Sequence, residues 1–99
     1  MKSKRTTRRP QYPWLPLDEI RRWLPEMERL GVSEVARSWR GFLTMYQDAG
    51  GNPRKVSDWW KARRTGFIRR HMVQYRRKPS YRRWLAFICW GYKPDRRFE

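Results

Sequence analysis

The chain has one cysteine and one histidine among its 99 residues. Cys89 has no partner for an internal disulfide, and three- or four-thiolate zinc sites are excluded. One Cys with one His does not suit any other zinc site either. A reducing compartment or a virion interior fits such a chain. Long apolar runs are missing as well. The longest, WLAFICWGY at 84–92, falls far short of the ~20 residues that cross a bilayer. The start MKSKRTTRRP leads into Pro and Trp rather than an apolar h-region, so neither secretion nor a membrane location is expected. Acids are scarce, nine against twenty-five bases. Asp18, Glu19, Glu26, Glu28, Glu34 and Asp48 are accounted for by helix starts and surface pairing. No converging carboxylates for a metal nuclease stand out, nor a glycine-rich phosphate loop, nor a Ser/His/Asp or Cys/His set. No enzymatic activity, no metal and no cofactor are expected.

What is present is positive charge, unevenly placed. Residues 1–16 carry five bases and no acid, residues 17–51 five bases and six acids, and residues 52–99 fifteen bases and three acids. The middle is near neutral, so the net charge of +16 comes from the two ends and mostly from the C-terminal half. Self-repulsion on that scale is a cost unless a polyanion relieves it. Nucleic acid is the commonest such partner, ahead of an anionic membrane or an acidic protein. Nineteen of the bases are Arg. A GC-rich genome gives that bias, and so does a need for bidentate phosphate contact, which the guanidinium fork suits better than a lysine ammonium.

Seven Trp, five Tyr and four Phe supply enough buried area for one compact small domain. Residues 1–13 read as a disordered basic arm whose Arg8 and Arg9 reach for nucleic acid, with Trp14 and Leu15 docking it to the body. Residues 14–94 read as a helical domain and 95–99 as a tail. Pro16 precedes a first helix that Pro25 should break or kink, leaving EMERLG as a last turn or a separate short helix that Gly31 closes. SEVARSWRGFLTMYQDAGG, 33–51, reads as the clearest helix, with Ser33 as N-cap and Val35, Trp39, Phe42, Leu43 and Tyr46 as one core stripe. After a turn at NPRKV, Ser57 caps a long helix from Asp58 to about Arg77. Pro79 stops it, and Ser80 caps a final helix ending near Gly91 to Pro94. Strand-like alternation is missing. The expected fold is an all-α bundle of three to five helices.

The stretch KARRTGFIRRHMVQYRRKPSYRR, 61–83, holds ten bases and no acid. On a helical wheel Arg63, Arg69, Arg70, Arg76 and Arg77 share one sector of roughly 140°. Trp60, Phe67, Ile68, His71, Met72 and Tyr75 take the opposing side. Arg64 and Lys61 fall among these apolar positions and should snorkel or sit at their ends. A face kept for solubility mixes signs, because opposite charges four residues apart help a helix fold. This one does not, and reads as an anion-binding face. Ala62 and Gly66 within it serve either close approach to a phosphate backbone or tight packing of a neighbouring helix. Arg82 and Arg83 should join Arg76, Arg77 and Lys78 in a basic corner around Pro79. Trp59 either stacks on a base or packs beneath a loop. His71 reads as a buried, hydrogen-bonded histidine. The final helix is apolar nearly all round, so it is either sandwiched within the domain or offers Phe87 and Trp90 to a homo-oligomer or larger assembly.

The runs VARSWRGFLTMYQDAGG, WWKARRTGFIRRHM and RRWLAFICWGYKP resemble small uncharacterised helical proteins encoded by phages and large DNA viruses, over roughly residues 32–94. The resemblance brings no assigned activity; it implies a viral setting in which a small cation binds or packages the genome. From the residues, the leading expectation is nucleic-acid binding through the phosphate backbone with little sequence preference, to DNA rather than RNA. Two alternatives stand beside it: a structural component of a nucleoprotein, ribosomal or virion assembly, and an interaction module for an acidic protein. A virion or an intracellular nucleoprotein is the expected location.

Overall fold

The computed structural model describes residues 12–98. Among these the chain forms five α-helices, one of them a single turn, and no strand. The first, α1 (Leu17–Leu30), opens with Asp18 and Glu19 in its first turn, where carboxylates favour the helix dipole. It runs without a break through Pro25, so residues 26–30 are its last turn rather than a separate short helix. Pro25 and Arg21 are both exposed, so the Arg21 carbonyl that loses its N–H donor has solvent close by. Gly31 ends α1 in the left-handed conformation (φ 65°). Val32 N–H then closes the turn on the Met27 carbonyl at 2.8 Å.

The helix expected over 33–51 is instead two, α2 (Glu34–Arg37) and α3 (Phe42–Asp48). Ser33 has φ 54° and its side chain caps nothing. The break lies at Ser38–Gly41, where the chain doubles back over α2. A Cβ on Gly41 would stand 2.2 Å from the Val35 carbonyl oxygen and 2.3 Å from that of Ala36. Two hydroxyls hold the bend: Ser38 Oγ donates to Val35 O at 2.7 Å and Thr44 Oγ1 to Ser38 O at 2.7 Å. The break splits the expected stripe. Phe42, Leu43 and Tyr46 are buried, while Val35 and Trp39 are turned out to 82% and 76% exposure.

Beyond Gly50 and Gly51, a 3₁₀ turn at Pro53–Lys55 leads into α4 (Asp58–Arg77) and then α5 (Tyr81–Cys89). Ser57 Oγ accepts the Trp60 N–H at 3.3 Å and Ser80 Oγ accepts the Arg83 N–H at 3.1 Å, the expected caps. α5 is the centre of the core, packed against α1 and α4. Trp84, Leu85, Phe87, Ile88 and Cys89 are all buried. Phe87 meets the rings of Phe67 and Tyr75, so it is sandwiched and has no surface to give a second copy. Trp90 is half-buried and stacks on Phe42 and Phe67, with centroids 4.9 and 4.8 Å away. Burial pushes the Cys89 thiol up to about 12.

The expected basic arm falls largely on residues 1–11, outside the described residues. Trp14 and Leu15 do dock the adjoining segment. Leu15 N–H donates to Gly91 O at 2.7 Å, Tyr46 Oη donates to Leu15 O at 3.0 Å, and Trp14 packs on Phe42 and Tyr46. Within the expected tail, residues 95–98 pack on the domain. Tyr75 Oη donates to the Asp95 carbonyl, the Arg96 guanidinium lies 4.7 Å over the Trp84 ring, and Phe98 packs edge-on to Trp84. No described helix is long and apolar enough to cross a membrane.

Candidate nucleic-acid interface

α4 buries a narrow stripe, Arg64, Ile68, Met72 and Tyr75, at intervals of four, four and three residues. Its exposed residues are Asp58 in the first turn, then Trp59, Ala62, Arg63, Arg69, Arg70, Val73, Gln74, Arg76 and Arg77, followed by Lys78. The five arginines expected in one sector are therefore together on one solvent face. Arg70, Arg76 and Arg77 make no hydrogen bond or ion pair among the described residues. Ion pairs among those residues are Arg29 with Glu26 at 2.8 Å and Lys93 with Glu19 at 2.9 Å. Both use acids of α1. Neither of these two pairs involves a base of α4.

Gly66 has a specific neighbour. A Cβ there would stand 3.2 Å from an Nη of Arg70, and nothing else comes within reach. No neighbouring helix packs on it; the missing side chain lets the Arg70 guanidinium fold back along the helix. Trp59 is 60% exposed, and no loop among the described residues covers it. The Arg63 guanidinium lies 4.8 Å from its ring centroid, a cation–π contact that holds this arginine beside a flat apolar plate.

Two arginines depart from expectation. Arg64 neither snorkels nor sits at an end: it is 3% exposed. It donates to three carbonyls, Nε to Trp90 O at 2.8 Å and Nη2 to Gly91 O at 2.9 Å and Pro13 O at 3.0 Å. Its guanidinium lies 4.0 Å from the Trp14 centroid. Burial lowers its pKa to about 10, so it stays charged at neutral pH. Carbonyls at the end of α5 and an aromatic face take the place of a carboxylate. The signal in the sequence was its register, since Arg64 continues the Ile68–Met72–Tyr75 stripe. Arg82 is the second. Its guanidinium donates to the Leu30 and Gly31 carbonyls at the end of α1, so it braces two helices instead of standing in the basic corner. Arg83 remains exposed, with one Nη on the Lys78 carbonyl at 3.2 Å. The corner around Pro79 is thus narrower than expected: Arg76, Arg77, Lys78 and Arg83.

His71 is half-buried, stacked on Phe67 at 4.1 Å with Nδ1 3.0 Å from the Phe67 carbonyl. Burial first, then Arg70 and Arg83, lower its pKa, which leaves it neutral at pH 7 and adds no charge to the face. Arg8 and Arg9 lie outside the described residues. Among the described residues no three His, Cys, Asp or Glu side chains are grouped to hold a metal ion. Sequence reasoning passed over Val73, 50% exposed in the middle of the arginine sector. Its wheel position was the signal that could have found it. No protein-family model, curated protein or solved structure matches this chain.

Proposed function

We propose that the protein binds nucleic acid through the phosphate backbone with little sequence preference, duplex DNA before RNA, as a component that binds or packages a viral genome. The observation that carries this is the outward face of α4. Arg63, Arg70, Arg76, Arg77 and Lys78 are exposed there along a helix surface that has no acid between Lys61 and Arg83. Placing these cations side by side costs folding energy by like-charge repulsion, and a row of phosphates reverses the sign of that term. Such contacts give affinity without reading bases. The test is binding of the purified chain to mixed-sequence duplex DNA by fluorescence anisotropy as salt is raised. Five phosphate contacts predict that affinity falls roughly several hundredfold between 50 and 200 mM salt. Affinity that does not respond to salt defeats the proposal.

A second reading has its own observation. Trp39 and Val35 are the most exposed large apolar side chains described, at 76% and 82%, Val35 in α2 and Trp39 in the bend that follows it. A structural role in a nucleoprotein or virion assembly would cover them. Mass measurement of the isolated chain bears on it: a monomer that melts sharply speaks against a chain stable only in an assembly.

A further inference from the structure

The exposed face of α4 has an internal order that a general polycation does not need. Arg63, Arg70 and Arg77 recur every seven residues, and so do Arg69 and Arg76. A helix advances about 10.5 Å in seven residues and drifts only about 20°. Each set is therefore a nearly straight row, and the rows stand roughly 120° apart around the axis. Between them run Ala62, Gly66 and Val73: two small residues and one half-exposed valine, none with a side-chain donor or acceptor. The face is two cationic rails with a smooth floor. Gln74, the helix's amide, stands outside the floor, beside the Arg70–Arg77 rail.

Two further features fit this shape to one partner. One side of α4 packs on the core, with Trp60, Phe67 and His71 half-buried beside the fully buried stripe, and the arginine side is open. That open side, some 30 Å long for twenty residues, carries no acid side chain beyond Asp58 in the first turn. The major groove of B-form DNA, about 12 Å wide, admits an α-helix, whereas the minor groove at about 6 Å does not, and the major groove of A-form RNA is deep and narrow. We infer that α4 lies in the major groove of duplex DNA, with the Arg63–Arg70–Arg77 rail on the phosphates of one strand, the Arg69–Arg76 rail on the other, and Ala62, Gly66 and Val73 facing the base edges. The floor makes no hydrogen bond to any base, so the groove is occupied without being read. Close approach is what Ala62 allows, and Gly66 too once the Arg70 guanidinium beside it moves out to a phosphate, while Val73 meets whatever pyrimidine C5 groups lie beneath it.

The inference rests on the phosphate-binding reading and is tested so that the two fail separately. The full chain is titrated by anisotropy, at one salt concentration, against three 25-bp duplexes: DNA, RNA of the same sequence, and DNA whose pyrimidines carry bulky C5 substituents that fill the major groove. A minor-groove-binding polyamide is added to the first as competitor. Groove docking predicts at least about tenfold weaker binding to the RNA and to the C5-filled DNA, and no displacement by the polyamide. A chain with Ala62→Phe and Val73→Phe, both at exposed positions, should lose about tenfold on plain DNA while keeping its melting temperature. Equal, salt-sensitive affinity for all three duplexes, or displacement by the polyamide, overturns groove docking and leaves phosphate binding standing. Affinity indifferent to salt on every duplex removes both.

Discussion

Arg64 and Gly91 are joined across the molecule: the guanidinium of a residue in the middle of α4 donates to the Gly91 carbonyl at 2.9 Å, just past the end of α5. With Trp90 O and Pro13 O on the same group, one buried cation ties three separate segments. Arg64→Met keeps much of the bulk but leaves the Trp90 and Pro13 carbonyls without this donor, Gly91 O keeping the Leu15 N–H, at an expected cost of about 3 kcal/mol in urea unfolding. DNA affinity of the folded fraction should stay within about twofold, since Arg64 faces no phosphate. A variant with unchanged stability and weakened binding would reverse this assignment.

Arg82 and Arg77 look alike in sequence and should behave oppositely. Arg82→Ala removes the brace on the Leu30 and Gly31 carbonyls and is expected to cost about 1 kcal/mol of stability with little change in affinity. Arg77→Ala removes an exposed cation; stability should hold or rise slightly, and the slope of log affinity against log salt should shrink by about 0.9. Paired melts and salt titrations of the two variants check this. Matching profiles for both would mean that the corner is not divided as described.

Gly41→Ala should be among the most damaging single changes. The added Cβ meets backbone oxygens at 2.2 and 2.3 Å, which have no rotamer through which to yield, and a loss of about 3 kcal/mol is expected. Gly50→Ala is the control: it has a positive φ of 67° but open space around it, and about 1 kcal/mol is expected there. Thermal melts of the two variants rank them, and the opposite order would remove the steric account of the α2–α3 bend.

Acid sensitivity should trace in part to Glu26. Hydrogen bonds from Arg29 first and Tyr81 second hold its carboxylate down to about 2, against an ordinary 4.5. The folded form binds that proton less readily than the unfolded chain. Its contribution to stability is therefore fully present above pH 4.5 and is lost as pH falls toward 2. Urea midpoints of the wild type and Glu26→Gln should converge over that window. A gap that stays constant across that whole window would show that the Arg29 and Tyr81 contacts do not hold the carboxylate.

The parts of this fold that are decided locally could be read from the residues. Ser57 and Ser80 sit one position before their helices and cap them. Gly31 takes the φ that few other residues tolerate. The wheel of α4 follows from helix geometry alone, so the arginine sector was legible. What was hidden depends on partners distant in the chain. A wheel gives the direction of Arg64 but not that Pro13 and Gly91 would meet it there. Arg82 is drawn to carbonyls fifty residues earlier. The break before Phe42 comes from main chain crossing main chain at Gly41, an event with no periodicity to announce it, and it turned Trp39 from core to surface.

The meeting of residues 13–15 with residues 90–91 has a consequence for a chain still being made. A ribosome that has delivered α1 through α4 has made a chain whose Arg64 lacks two of its three carbonyl partners and whose Phe42 and Phe67 lack the Trp90 ring. Until residue 91 emerges, that nascent chain presents a buried-type cation and unpaired aromatic faces to its surroundings. Its closure is expected to wait for those residues, so that a chaperone or a nearby polyanion would meet it first in the open form.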